Sequence, residues 1–521
     1  MNILWNLNLG GIVRHTRKGC LRNMVTNVAI IGYGPVGSIM ANLIATKGYK
    51  VLVIDANKGT SPTARAINTD GEQCRTFDLL GFADEVVSNS GYIDKVSFTD
   101  AELNEIITQD QPLEVGAMGW PPQLLFYQPE LEKIIRTSVE SKENIEIKES
   151  TLLESFKTES DKVILNCTSN GESINFESKY LIGCDGASSS VRKLLNIERD
   201  DLGYDQDWLV ADAHLTKTTD IPKHHAKQIC NPKRPATYVP GRRGHRRFEF
   251  KLMPGESKEE LESEEKVWEL LSPWINPNNA TLERADVYQF HAALAKTWRI
   301  DNCLIAGDAA HQMPPFMGAG MGTGIRDAMN LFWKLDLILS NKAEDSILDT
   351  YQAERYPHAK WTVAQSVSIG KIIEGLCAQQ EGKEFTPDDN EGYGVKFPHL
   401  PSGLYKDASD DISGYPCPQP LLIRNGSKEL SDRIVGSKFT IFTKNAIPKL
   451  TKKAEEIVKA LDIQIIEFTD KDDEENRMSK IFETYKLILI RPDRYVYGGI
   501  ESLDDSSDII ESLESTFSLK I

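Results

Sequence analysis

Hydrophobic positions fall into two patterns along this chain. Val28-Ala29-Ile30-Ile31 is a continuous apolar run, as in a parallel strand buried on both faces. From Ser38 to Lys47, Ile39, Leu43 and Ile44 recur at helical spacing, and Gly48 supplies a stop. Lys50 to Ile54 is a second apolar run that ends in Asp55. Leu181-Ile182-Gly183 and Cys303-Leu304-Ile305-Ala306 read as two further buried strands, and a helix is predicted from Ile325 through Leu331 and Leu335. His245-Arg246-Arg247-Phe248-Glu249-Phe250 instead mixes charged and aromatic residues in alternation, the pattern of a strand with two different faces. Near the end, Lys438–Phe442, Ile463–Phe468 and Leu487–Ile490 predict strands and Lys449–Leu461 a helix, together a small α/β unit.

At 521 residues the chain has room for about three domains. Its 60 basic and 77 acidic residues give a net charge of -17, which disfavours nucleic acid and an anionic membrane surface as partners. No apolar run is long enough to span a bilayer, so no stable membrane association is expected. The eight cysteines include no CxxC pair, which fits reduced thiols in a cytoplasmic protein and gives no metal-site spacing. The adjacent His224 and His225 lack further ligands at suitable spacing, so no metal is expected. Residues 1–24 carry Arg14, Arg17, Lys18 and Arg22 and no acid. They read as a basic extension, disordered or the product of an upstream start, with Met24 as the natural first residue.

The first strand runs straight into Gly32-Tyr33-Gly34-Pro35-Val36-Gly37. Gly32 permits the tight turn, Gly34 lets backbone approach a pyrophosphate, and Gly37 lets helix and strand pack closely. The helix start beyond Pro35 and Val36 presents free N–H groups to phosphate, and Asp55 is placed to accept ribose hydroxyls. This much indicates a dinucleotide and leaves NAD and FAD open.

Two later motifs decide for FAD. Gly183-Cys184-Asp185-Gly186 closes one buried strand, and Gly307-Asp308 closes another, followed by Pro314-Pro315, Gly318, Gly320, Met321, Gly322, Thr323 and Gly324. Three motifs in this order resemble the single-component FAD monooxygenases, the flavoprotein aromatic hydroxylases, from about Val25 to the C-terminus. The resemblance implies a Rossmann-like α/β FAD-binding fold with an interleaved β-sheet substrate domain. It assigns Asp185, Gly307, Asp308, Pro315, Gly318, Gly320, Met321, Gly322 and Thr323 to the flavin; Thr323 stands where the family often has Asn. Arg65 and Gln128 match residues that lie beside the flavin in the family. His311 is expected to be a positioned loop residue rather than a catalytic one. A single GxGxxG fits a reductant, NADPH or NADH, that binds transiently.

Ile67 to Thr76 resembles the phenol hydroxylase branch, which makes Asp70 the expected base for a phenolic hydroxyl and Arg247 an orienting residue. There the family has Arg-Phe-Tyr; this chain departs at Glu249. The region from Asn231 to Glu256 is most similar to 3-(3-hydroxyphenyl)propionate hydroxylases. Arg242, Arg243 and Arg246 are expected to form a solvated basic patch. The implied activity is hydroxylation of a small aromatic phenol with NAD(P)H and O2 by way of a flavin C4a-hydroperoxide. The alternatives are the same chemistry on a polyketide or antibiotic such as rifamycin or tetracycline, and an idle flavoprotein serving as an interaction module. The layout expected is an FAD-binding domain over 25–377 with substrate segments near 96–125 and 205–290. A linker over 378–420 and a thioredoxin-like domain over 421–521, with a structural or homodimer-forming role, complete it.

Overall fold

The computed structural model describes residues 25–60, 65–386, 399–400, 403–406, 410–424, 426–444, 446–469, 472–473 and 475–520. The basic extension over 1–24 lies outside the described residues.

Strand β1 (Thr26–Ile31) is completely buried over Val28, Ala29 and Ile30, as a two-faced apolar run requires. It turns at Gly32, whose φ of +104° and whose position, 2.3 Å from a built Cβ to the Cys184 carbonyl oxygen, admit glycine alone. Helix α1 (Pro35–Thr46) begins three residues earlier than its hydrophobic spacing predicts, because Pro35 is preset for the first helical position. β2 (Val51–Ile54) completes the unit. After α2 (Gly71–Leu79) the chain crosses to β3 (Lys95–Thr99) and β4 (Glu105–Asp110), then returns through α3 (Gln128–Glu140) and β5 (Ile145–Lys148) to β6 (Glu172–Gly183). It crosses again to β7 (Arg199–Leu215), β8 (His225–Ile229), β9 (Ala236–Pro240), β10 (His245–Lys251) and β11 (Ala280–Ala295). It comes back as β12 (Cys303–Ile305), α4 (Gly320–Leu339) and α5 (Asp349–Gln380).

The nucleotide sheet has the parallel order β12-β6-β1-β2-β5, so the three motif loops emerge at the same carboxyl edge. The substrate sheet has the order β11-β7-β10-β9-β8-β3-β4, extended at one edge by His311–Gln312. Its second chain segment runs from Arg199 to Ala295, somewhat wider than the expected 205–290. The alternation in β10 sets its two faces. Phe248 and Phe250 join Leu209, Ala211 and Val267 in a core on one side, while Arg247 and Glu249 turn to the other.

α4 starts at Gly320, not at Ile325. Glycines are poor helix formers, and here close packing overrides that preference: a Cβ on Gly324 would stand 2.5 Å from Val36 and 3.0 Å from the Gly307 Cα.

The expected linker over 378–420 is not one. α5 continues to Gln380, and beyond the undescribed residues Leu400, Leu404, Cys417 and Gln419 are buried. Lys406 N–H and Gly414 N–H donate to Tyr497 and Val496 carbonyls, so this Pro- and Gly-rich stretch is part of the C-terminal unit. That unit follows with β13 (Thr440–Lys444), α6 (Lys452–Leu461), β14 (Gln464–Phe468), α7 (Ser479–Thr484), β15 (Leu487–Ile490), β16 (Val496–Ile500) and α8 (Ser506–Thr516). Its sheet order is β14-β13-β15-β16, with only β13 and β14 parallel. It docks on α4 and α5 through a buried charged cluster. Glu354 accepts from Lys334 at 2.9 Å and from Arg491 at 2.7 and 3.0 Å, and Asp493 accepts from Trp333 Nε1 at 3.0 Å.

Candidate active site

A cavity of about 310 Å³ lies between the carboxyl edge of the nucleotide sheet and the polar face of the substrate sheet. Gly34, Pro35 and Val36 form one end of it. A Cβ built on Gly34 meets nothing within 4 Å, so backbone at the start of α1 is open to an incoming group. Gly32 and Gly37 lie behind it and shape the turn; a Cβ on Gly37 would stand 2.0 Å from the Gly32 carbonyl oxygen. Asp55 reaches back to the same turn, accepting from Tyr33 N–H at 2.7 Å and Asn57 N–H at 2.8 Å.

Arg65, Asp308, Pro315, Gly318, Gly320 and Met321 line the cavity. Arg65 Nη1 lies 4.0 Å from Asp308 Oδ2. Gln128, also in the wall, accepts from Arg65 N–H and Ala66 N–H, both at 2.7 Å, and donates to Glu132 at 2.6 Å. It therefore fastens the Arg65 loop to the start of α3. The amino end of α4 faces the cavity through Gly320 and Met321, which offers a positive dipole to an electron-rich ring.

Besides Gly32, Gly37 and Asp55, four further expected flavin residues sit behind the wall. Asp185 accepts from Ser190 N–H at 2.6 Å and Val191 N–H at 3.1 Å, capping a short helix. Gly307 packs on Val36 and lends its N–H to Asp327. Gly322 packs on Gln73, and buried Thr323 donates within α4 to the Ala319 carbonyl. All four support the cavity from outside. His311 is a positioned residue, its Nε2 2.7 Å from Asp327, which Arg355 also holds at 2.9 Å. Burial opposes charge on Asp327, but His311 and Arg355 overcome it and keep the carboxyl below its usual range.

Asp70 is corrected. It does not line the cavity; it is the N-cap of α2, accepting from Glu72 and Gln73 N–H groups in a capping box. Its second oxygen accepts from Arg326 at 2.8 Å. The basic patch is corrected too. Arg242 and Arg246 are buried, Arg242 paired with Glu130 and Arg246 bonded to the Gly241 and His245 carbonyls.

Opposite the flavin motifs, three adjacent strands place Arg247, Asp212 and Arg284 side by side. Arg247 donates to Asp212 through Nε and Nη2, at 2.9 and 3.0 Å, and Arg284 donates to it through Nε, at 2.7 Å. His245 Nε2 lies 2.9 Å from the same carboxylate. Burial opposes ionisation of Asp212, yet the Arg247 guanidinium and the hydrogen bond from His245 hold it well below the usual carboxylate range. Arg247 also donates to the Arg65 carbonyl at 2.7 Å, tying the two halves of the cavity together. Arg284 donates to the Tyr288 hydroxyl at 2.8 Å, and both line the cavity.

Two residues beyond Arg247 on the same strand face, Glu249 faces the cavity and is only 5 % exposed. Burial pushes its carboxyl up to about 7, against the pull of Arg247 and Arg284 and with the push of Asp212. Asp212, Arg284, Tyr288 and Glu249 were not singled out by motif. Glu249 carried the one available signal, as a departure from the Arg-Phe-Tyr pattern.

The protein groups present suit FAD: an open glycine backbone at one helix start, a second helix start bearing Gly320, and Asp308 between them. Relatives are consistent with this. The chain is 34% identical over 434 residues, 80% of its length and 78% of the other, to the probable NADH-specific resorcinol 4-hydroxylase of Rhodococcus jostii (strain RHA1). It is 37% identical over 355 residues to the 3-(3-hydroxy-phenyl)propionate/3-hydroxycinnamic acid hydroxylase of Escherichia coli (strain K12), spanning 67% of this chain and 63% of that enzyme. In fold it is similar to aklavinone-11 hydroxylase in complex with FAD and aklavinone, with a TM-score of 0.81, 22% identity, and coverage of 95% and 99% of the two chains. The FAD binding domain family matches residues 25–366, from β1 into α5, and with all three glycine motifs inside that span the chain belongs to this family and takes FAD as its cofactor.

Proposed function

We propose that this protein is a monooxygenase that hydroxylates a phenolic compound with FAD, NADH or NADPH, and O2. The observation that carries the reading is one continuous cavity with flavin-type motifs on one side and a buried acid with two guanidiniums on the other. The two relatives whose names specify phenols support the substrate class.

FAD, when bound, supplies the redox and oxygen chemistry. The chain's residues do the rest. Gly34 and the start of α1 would hold the pyrophosphate, and Asp308 the ribityl chain. The amino end of α4 would favour negative charge on the ring system. Arg247 and Arg284, fixed by Asp212, orient an aromatic hydroxyl, and Val210 and Phe290 supply apolar wall that excludes water.

The likeness to aklavinone-11 hydroxylase bears on architecture alone and does not favour a polyketide. An acid held at a pKa near neutrality in the wall sits poorly with an idle interaction module. We also read the C-terminal unit as thioredoxin-like, from its βαβ-ββα order; with no cysteine after Cys417 it is assigned a structural or dimer-forming role rather than disulfide chemistry. A cytoplasmic location is supported by the seven described cysteines, all free and six of them buried.

The test is direct. Purified protein should be yellow, should oxidise NADH or NADPH faster when resorcinol or 3-(3-hydroxyphenyl)propionate is added, and should yield a product one oxygen heavier by mass spectrometry. Protein that binds FAD but leaves every member of a phenol panel unchanged would overturn the reading.

A further inference from the structure

Two acids line the cavity. Asp308 belongs to the flavin side, with its side chain 44% exposed and Arg65 nearby. Glu249 belongs to the substrate side and is nearly closed off from solvent. Among the described residues no group hydrogen-bonds to the Glu249 carboxyl, although Arg247 stands two residues away on the same strand face with its own donors committed to Asp212 and the Arg65 carbonyl. Both oxygens of Asp212, by contrast, are engaged by cations. His291, the imidazole in the wall, is paired with Asp205 at the exposed rim, and the Tyr288 hydroxyl accepts from Arg284. A cavity-facing acid with unclaimed lone pairs, beside two fixed positive charges, is arranged to take a proton from something in the cavity.

We propose that Glu249 is the general base that takes the hydroxyl proton of a phenolic substrate. The inference rests on the phenol hydroxylation reading and deepens it by naming the residue. In the step, the substrate O–H bond breaks and a Glu249 O–H bond forms. The electron pair stays on the substrate oxygen, so no oxidant or reductant is consumed. A tyrosine-like phenol ionises near pH 10, so transfer to an acid titrating near neutrality is uphill by about 3 pK units. Arg247 and Arg284, kept cationic by Asp212, offset that gap by favouring the phenolate. Near-neutral basicity also suits catalysis, because the base is free of its proton at working pH and still holds one well enough to drive transfer.

The experiment uses FAD-loaded protein with resorcinol and with 3-(3-hydroxyphenyl)propionate as probes. Single-turnover product formation is followed from pH 6 to 9. The wild-type rate should rise through about pH 7, the value expected of Glu249, and level off above it. Glu249→Gln should keep FAD and bind the probe, lose that rise, and form product at least 100-fold more slowly, a typical general-base contribution. Glu249→Asp, which keeps the carboxylate, should restore the rise in part and so excludes a folding defect as the cause. An unchanged rate and pH profile in Glu249→Gln would overturn the assignment and leave the phenolic reading standing. Absence of binding or turnover with any phenol in the wild type would overturn both.

Discussion

Asp212 and Arg247 face each other across neighbouring antiparallel strands and are joined by two hydrogen bonds, at 2.9 and 3.0 Å. Both are almost fully buried, and Arg284 and His245 lean on the same carboxylate. Removing the acid alone takes away the carboxylate that two buried guanidiniums share. Asp212→Ala should therefore cost about 3–5 kcal/mol, read as a lower denaturant midpoint. Asp212→Asn should lose less, because shape and some acceptor capacity remain. A loss under about 1 kcal/mol for Asp212→Ala would show that the cluster does not need its anion.

Glu249 couples stability to pH. Its folded pKa is raised from 4.5 to about 7, so the stabilisation is full below about pH 4.5 and is lost as pH rises through 7. The size is about 3 kcal/mol over that window. Glu249→Gln should flatten this part of the stability profile and be the more stable protein at pH 8. Thermal melts of both proteins from pH 5 to 8 measure it, and parallel profiles would contradict it.

Gly34 and Gly37 separate cofactor binding from folding. Gly34→Ala places a methyl in open space at the start of α1, so stability of the FAD-free protein should stay within about 0.5 kcal/mol while FAD affinity falls. Gly37→Ala drives a methyl against the Gly32 carbonyl and should lower stability by at least about 1–3 kcal/mol as well. Flavin fluorescence titration beside a thermal melt distinguishes the two effects.

Asp70 carries a structural load. Asp70→Ala removes the α2 cap and a partner of Arg326, at a cost of about 1–2 kcal/mol. Asp70→Asn keeps a capping acceptor and should recover most of it. In both variants turnover at saturating phenol should change less than about tenfold, short of a general-base contribution. A 100-fold or larger fall in turnover with full stability would return Asp70 to the chemistry.

Much of this was legible in the sequence. The glycine turn, the Asp308 loop and the strand before each follow from local patterns, and Gly34, Asp308 and Gly320 line one cavity. Asp70-Gly71-Glu72-Gln73 could also have been read correctly, since an acid three residues before Gln is a capping-box pattern. The substrate wall was not legible in this way. Glu249, Asp212 and Arg284 lie on strands whose pairing is fixed by cross-strand register, and nothing local tells residue 212 that residues 247 and 284 will flank it. The linker was misread because Pro, Gly and Asp mark irregular backbone, whether or not that backbone is packed against a strand.

α4 has one further consequence. Its 20 residues form a rod about 30 Å long. The first turn borders the flavin cavity, and Asn330, Trp333 and Lys334 farther along bind the buried charges that clasp the C-terminal unit. A gene shortened to the first 377 codons would strip Arg491 and Asp493 from that rod and leave Lys334 and Glu354 facing water. Protein engineers seeking a minimal flavoenzyme from this scaffold should treat the tail as a buttress of the cofactor pocket and make their cuts elsewhere.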